Sequence, residues 1–564
     1  MLIEGGLTVI AVAVSFALHR LGASWFARIE KAFAALARKK RLSVLAVGAA
    51  ALLVRLAILP ICPIPLPFVQ DDFSFLLAAN TFAAGRLTNP TPPMWVHFES
   101  IQITLRPTYM SMYFPAQGLI LAAGKVLFGH PWFGLLCVTA LMCAATCWML
   151  QAWLPPTWAL LGGVIMVLRI GLFSYWINTY SGGGSIAALG AAFLLGALPR
   201  FIRSPRLRYS LTMAAGIIIL ALSRPYEGLL LCLPVGFVLG RWVFFGKPRP
   251  TATQVFRSSA LPLALILAAV AWLGYYDYRA FGNPLTPPYS VDRAEYAAAP
   301  YYIWQTPRPQ PAYRHKAIHD FYIDVELGSF NHLHTRRGFL SENLFFKPLR
   351  ALLFFAGFVL LPPLIMLRRA FLDRRIRFLN VCVVIVVCAV MVETWLIPHY
   401  FAAITPAIYA LGLQMMRHLR QWKPGGQPVG AAMLRSIVVL CFALAGLRLI
   451  AEPLHIQLAN WPSGNWAATW HGPGRMGLPR KHIEDQLNRL PGKQLILVRY
   501  SPDHNSLDEW VYNAPDIDHS KIIWAREMDA KDNQELMHYY KDRTVWLVQP
   551  DANPVSLTPY PSPQ

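Results

Sequence analysis

Apolar stretches of close to 20 residues recur along this chain, split by short polar loops. A stretch of that length crosses the hydrocarbon of a bilayer as one helix, and in lipid every backbone N–H and C=O must be satisfied inside the segment. The spans are expected at about 5–21, 43–62, 132–153, 157–175, 184–200, 209–223, 227–245, 258–276, 348–367, 378–397, 401–417 and 430–451. Only 14% of the 564 residues are charged and 55% are hydrophobic, whereas soluble domains carry about a quarter charged residues. The expected fold class is therefore a polytopic α-helical membrane protein with about 12 transmembrane helices. Leu2 to Leu21 lacks a basic start and a small-residue cleavage site, so it is expected to be the first span and not a signal peptide.

The formal charge of +22 is distributed as a topology signal. From Glu452 onward there are 11 Lys/Arg against 14 Asp/Glu, so the excess lies in the membrane part. It clusters at Arg28 to Arg41, Arg200 to Arg208, Arg241 to Arg257, Arg368 to Arg377 and Arg417 to Lys423. The positive-inside rule places these clusters in the cytoplasm, which disfavours a nucleic-acid partner. Pro115 to Gly129 is short and carries Lys125. If it crossed the membrane, four basic clusters would face outward, so it is expected to lie on the outer surface. Residues 22–41 read as an amphipathic cytoplasmic helix. Both termini are then outside, and segments 63–131, 176–183, 224–226, 277–346, 398–400 and the C-terminal part share that face. All eight cysteines lie in or beside apolar spans, so neither a disulfide framework nor a cysteine metal site is expected.

Just past the second span the sequence runs PIPLPFVQDDFSFLLAANTF. Adjacent carboxylates at a membrane surface are costly unless water, a cation or a substrate meets them, so Asp71 and Asp72 are the first candidates for chemistry. Capping of the following helix is the simpler explanation for one of them.

This acidic pair, followed by MYFPAQGLILAAGKVLFGHPWFG, resembles the GT-C superfamily of polyprenyl-phosphate-dependent glycosyltransferases, in particular the protein mannosyltransferase and aminoarabinose transferase branch. The resemblance covers the membrane half through residue 245 and, more loosely, the rest. Many relatives have Asp-Glu where this chain has Asp-Asp. The resemblance implies an inverting transfer of a sugar from a polyprenyl-phosphate donor to a lipid, glycan or protein acceptor at the periplasmic face of a bacterial inner membrane. Asp71 or Asp72 would be the general base, the other orienting the acceptor or assisting a divalent cation. Arg224, in SRPYEG, is the first candidate for the donor phosphate, with Arg106 and Lys347 behind it. Each also reads as an interfacial cation anchored to lipid headgroups, and Arg224 as an ion-pair partner of Glu227.

Tyr175, Asn178 and Tyr180, in YWINTYSGGG, could hydrogen-bond a sugar, as could Glu227, His399 and Tyr400. In the first loop Trp95, His97, Glu99, Tyr113 and Gln117 offer stacking and polar groups, with Glu99 as a second candidate base. An aromatic belt would have the same composition. His315, His319, Asp320 and Asp324 repeat at helical spacing, which a metal or an exposed polar face would both produce. The loop carrying them is expected to cover the site and help select the acceptor. The expected domains are an N-terminal segment 1–42, a membrane domain 43–451 and a periplasmic α/β domain 452–564. The competing readings are a lipid or sugar transporter and a polymerase or ligase using diphosphate-linked glycans.

Overall fold

The computed structural model describes residues 2–247, 249–451, 453–454, 456 and 477–561; the rest of the segment at which the C-terminal domain is expected to begin lies outside the described residues. Among the described residues, five helices are long and apolar enough to cross a membrane: Pro131–Trp153, Gly184–Arg203, Pro225–Phe245, Ala252–Phe281 and Val429–Ile450. Pro131–Trp153 and Gly184–Arg203 are 72% and 78% buried and form the centre of the bundle, whereas Ala252–Phe281 is 11% buried and turns nearly all its apolar surface outward. Apolar residues all round a helix suit the protein core or lipid, and these helices take one solvent each.

Shorter apolar helices complete the bundle: Leu2–Ala17, Pro115–Phe128, Leu207–Ser223, Arg377–Val390 and Pro156–Gly171, the last ending in a wider i→i+5 turn from Val167. Pro115–Phe128 has 14 residues, about 21 Å at 1.5 Å per residue, too short for a hydrocarbon core of about 30 Å. It folds back as a hairpin onto Pro131–Trp153 after Gly129, whose φ of +80° ends the helix. The two helices touch backbone to backbone: a Cβ on Gly134 would lie 2.0 Å from the Ile120 carbonyl oxygen.

Two of the expected spans are broken. Helix Lys347–Phe355 stops before Gly357, which has a φ of +60° and no room for a side chain beside Arg169 and Glu4. The expected 401–417 span begins as a tight three-residue-per-turn segment, Pro398–Ile404, before α-helix Thr405–Arg420. Proline at each start removes an N–H and resets the backbone. Glu4, an acid inside the first apolar helix, is paired with Arg169 at 3.0 Å and accepts from the Val359 N–H.

The first polar segment contains a small antiparallel sheet (Asn89–Pro90, Thr108–Ser111, Ile103–Thr104, in that order across it), which the sequence reading did not anticipate. Near the C-terminus, strand Lys493–Val498 runs parallel to Ile522–Arg526 and Arg543–Gln549, and Ser556–Pro559 adds antiparallel to the last. Helices Leu478–Arg489 and Ala530–Tyr539 pack on this sheet. The strand alternation sets which face goes where. Leu495 and Leu497 pack with Phe73, Phe98 and Tyr109 of the first polar segment, and Ile496 and Val498 pack with Ile483 and Leu487. The C-terminal layer therefore sits directly on the segment that carries the acidic pair.

Replacing Gly134 with Val forces the hairpin apart. An overpacked site of this kind costs about 1–3 kcal/mol, so thermal unfolding in detergent is expected at a clearly lower temperature than for the parent.

Candidate active site

The polar segments at one end of the bundle line a cavity of about 880 Å³. Its wall draws on the first polar segment (Asp71, Gln102, Tyr113, Gln117), the turn after Tyr175, the turn at Arg224, the long loop from Tyr289 to Lys347, and Glu393 to Tyr400. These are the segments that the charge pattern assigns to a single face.

Asp71 and Asp72 open helix Gln70–Ala83, where the free backbone N–H groups favour negative charge. Consecutive residues on a helix point in different directions, and the two acids part company. Asp71 lines the cavity, and its Oδ1 accepts from the Tyr113 hydroxyl at 2.8 Å. Asp72 is fully enclosed and absent from the cavity wall. Its Oδ1 accepts from the Tyr180 N–H at 2.8 Å and its Oδ2 from the Phe68 N–H at 3.3 Å. Burial pushes the Asp72 carboxyl up to about 7, against these N–H donors and helped by the adjacent Asp71. Burial also raises Asp71, while hydrogen bonds from Tyr113 and Gln102 and the charge of Arg224 pull it back.

Arg224 and Lys347 both face the cavity; Arg106 does not. Arg224 sits between helices Leu207–Ser223 and Pro225–Phe245, donates through Nη2 to the Gly182 carbonyl at 2.7 Å, and lies 3.4 Å from Glu227 Oε1 and 4.9 Å from the Tyr400 ring centroid. Gly182 has a φ of +81°, and a Cβ there would come within 2.5 Å of His399 Nδ1, so glycine is required for this approach. Lys347 is buried and donates to the Glu393 carbonyl at 2.6 Å. Arg106 is half exposed, pairs with Glu295 at 3.1 Å and covers the Trp95 ring.

Among the expected sugar-binding residues, Tyr113, Gln117, Tyr175, Glu227, His399 and Tyr400 line the cavity. The Tyr175 hydroxyl lies 2.9 Å from His399 Nδ1, and burial together with Arg224 keeps that histidine neutral by pushing it well below its usual range. Asn178 and Tyr180 lie behind the wall: Asn178 Oδ1 accepts from Arg55 at 3.0 Å, and the Tyr180 hydroxyl donates to the Pro65 carbonyl at 3.0 Å. His97 faces the C-terminal layer instead, and the Glu99 side chain faces the long loop. His97 Nδ1 lies 3.0 Å from the Arg526 carbonyl oxygen. Burial opposes the charge of Glu99, but contacts with His315, Arg314 and Tyr296 outweigh it and hold the carboxyl below its usual range. A carboxylate so committed is a poor base. His315 bonds to the Val96 carbonyl, away from His319. Among the described residues, His319, Asp320 and Asp324 have ligand atoms within 4.8 Å of one another, but Lys316 pairs with Asp320 there and the group lies outside the cavity wall.

Several wall residues escaped the sequence reading. Gln102 is the sole described non-glycine residue with a left-handed backbone, φ +62°, a conformation costing of order 1–3 kcal/mol. The long loop supplies Asp292 and the Arg293–Glu326 pair at 2.6 Å, and Tyr322 donates to Asp292 at 3.1 Å. Burial pushes Asp292 up to about 7 despite the neighbouring Arg293. Glu393 is 2% exposed and keeps an oxygen without a hydrogen-bond partner among the described residues. This loop is the expected cover for the site, but no spacing in sequence marks which of its acids turn inward.

No family model and no curated protein matches the sequence. Among solved structures the chain is similar to ArnT from Cupriavidus metallidurans in the apo state, at 13% identity over 90% of this chain and 92% of that one, TM-score 0.48. It is similar to ArnT from the same organism bound to undecaprenyl phosphate, at 11% identity over 90% and 92%, TM-score 0.47. A third similar structure is the Archaeoglobus fulgidus oligosaccharyltransferase AglB in complex with an inhibitory peptide and a dolichol-phosphate, at 12% identity over 90% and 69%, TM-score 0.41. These neighbours are GT-C superfamily membrane glycosyltransferases, the superfamily that the acidic pair and the segment after it resemble.

Tyr113→Phe removes a hydrogen bond that lowers the Asp71 carboxyl, so the folded-state pKa rises. A reaction that needs Asp71 ionised then loses rate at a higher pH than in the parent. The acid limb of kcat/KM against pH is expected to move up, with the alkaline side unchanged.

Proposed function

We propose that this chain is an inverting glycosyltransferase that moves a sugar from a polyprenyl-phosphate donor to an acceptor hydroxyl or amine. The observation that carries this reading is a cavity lined by a half-buried carboxyl, Asp71, together with two cations, Arg224 and Lys347. The acceptor's O–H or N–H passes its proton to Asp71 while the acceptor atom forms a bond to the anomeric carbon. The bond from that carbon to the phosphate oxygen breaks, and its electron pair leaves with the lipid phosphate. A single displacement of this kind inverts the anomeric centre. Arg224 donates to Gly182 and Glu227 and lines the cavity, where its charge can meet that which builds on the departing phosphate. Lys347 adds a second positive charge on that wall. Tyr113, Gln117, Tyr175, His399, Tyr400 and Glu227 provide the polar and aromatic surface for the sugar.

Asp72 is a structural acid in this reading, and Asp71 alone is the base. The first polar segment, the long loop 277–346 and the C-terminal layer form the outer, periplasmic side of a bacterial inner-membrane protein with 12 crossings. The domains run 1–42, 43–451 and 452–564. The acceptor is a lipid, glycan or protein of the envelope; mass spectrometry of envelope glycolipids and glycoproteins from cells with and without the gene identifies it.

Asp71→Asn is expected to lower turnover by about 10²–10⁴-fold, the range of a lost general base, with folded protein still in the membrane. Asp72→Asn is expected to act first on stability, lowering the unfolding temperature. Wild-type turnover in Asp71→Asn would sink the assignment. Arg224→Gln is expected to cost about 10²–10³-fold in kcat, as for the loss of one charge-stabilising donor, measured as sugar transfer from a synthetic polyprenyl-phosphate donor in proteoliposomes.

A further inference from the structure

Gln102 stands out on three counts: its left-handed φ of +62°, its place on the cavity wall, and the position of its carboxamide, whose Oε1 lies 2.9 Å from the Tyr113 hydroxyl. Its backbone is pinned in that conformation. The carbonyl accepts from Ser74 Oγ at 2.7 Å and from the Met112 N–H at 3.3 Å, and the N–H points at the Tyr322 hydroxyl at 3.4 Å. A turn with this φ asks for glycine, and side chains other than Asn and Asp rarely tolerate it. The chain holds a glutamine there, and the strained backbone aims its amide at the hydroxyl that contacts Asp71.

The Tyr113 hydroxyl has one proton and two acceptors within reach, Asp71 Oδ1 at 2.8 Å and Gln102 Oε1 at 2.9 Å. With Asp71 ionised, that proton goes to the carboxylate, and the amide must turn an N–H toward the phenol oxygen. With Asp71 protonated, the carboxyl O–H donates to the phenol oxygen, and the phenol proton goes to Gln102 Oε1. A carboxamide carries a donor and an acceptor in one group and satisfies both arrangements. An apolar residue satisfies neither, and glycine offers nothing. Tyr113 itself is held by stacking on Phe75, with ring centroids 4.3 Å apart.

We propose that Gln102 is a positioning residue that works on Asp71 both directly and through Tyr113, keeping the carboxyl fixed and hydrogen-bonded both before and after it takes a proton. The inference rests on the reading of Asp71 as the base. The proton comes from the acceptor, stays on Asp71 while the Tyr113 hydroxyl reverses, and leaves to water once product departs. Other groups also bias this carboxyl: Asp72 on its own helix, Arg224 in the turn between helices, Tyr175, Glu326 of the long loop and Tyr512 of the C-terminal layer. None of these is altered by a change at position 102.

The deciding variant is Gln102→Gly, because glycine suits the backbone and folding is preserved or improved. Expected are an unfolding temperature at or above the parent's, kcat down about tenfold or more with the donor KM little changed, and an acid limb moved to higher pH. Tyr113→Phe should mask part of the Gln102→Gly effect, since residues acting through one another are not additive, while the direct bond from Gln102 to Asp71 is lost in either background. Infrared titration of the Asp71 carboxyl, taken as the difference from Asp71→Asn, reads the same change without activity and should show a higher midpoint in Gln102→Gly. A Gln102→Gly protein with parental kcat and titration midpoint, or losses that simply add to those of Tyr113→Phe, overturns the inference. If the wild-type protein transfers no sugar while the infrared midpoint still moves, the functional reading fails and the role of Gln102 stands.

Discussion

The site depends on what one buried carboxylate does for the backbone. Asp72 accepts from the N–H of Phe68, just before its own helix, and from the N–H of Tyr180, more than a hundred residues away. These two bonds join the first polar segment to the turn that carries Gly182, whose carbonyl in turn holds Arg224. Gln117 reinforces the same junction by donating to the Tyr180 carbonyl at 3.0 Å. The candidate base and the candidate phosphate-binding cation thus get their relative positions from a side chain that touches neither substrate nor cavity.

Arg55 extends this framework toward the membrane. It is fully enclosed, donates to the Cys62 and Pro63 carbonyls and to Asn178, and lies 4.7 Å from the Trp132 ring centroid. A guanidinium inside a bilayer is costly unless its donors are met, and here carbonyl oxygens meet both terminal nitrogens while a ring lies against the group. The strand of chain between Cys62 and Asp71, rich in proline and short of regular hydrogen bonds, is anchored at both ends by charged groups with fixed partners.

Much of this was legible in the residues. Apolar length marks the helices, charge marks the shared face, and Asp71, Arg224, Tyr175, His399 and Tyr400 stand out as polar groups at helix ends. The parting of Asp71 and Asp72, one toward the cavity and one toward backbone N–H groups, was not, because adjacent carboxyls look alike until a helix sets their directions. Glu99 misled for a similar reason: its partners, His315 and Arg314, lie more than 200 residues away. Gln102 gives no signal at all, since its backbone is set by contacts with Ser74, Met112 and Tyr322 and not by its own preference. The break after Phe355 likewise follows from a distant ion pair, Glu4 with Arg169, pressing on Gly357.

The C-terminal layer is part of the cavity and not an appendage to it. Leu507 reaches the wall, Tyr512 stacks on Phe73 at 4.2 Å, two positions along from Asp71, and Arg480 lies over that same phenylalanine at 4.9 Å. The last strands of the protein therefore close over residues made near its beginning. A chain still leaving the ribosome has its acid and its arginine but no finished chamber around them. The wall is completed only when the C-terminal residues arrive, and a chain cut before them would leave Phe73 uncovered, two positions from Asp71.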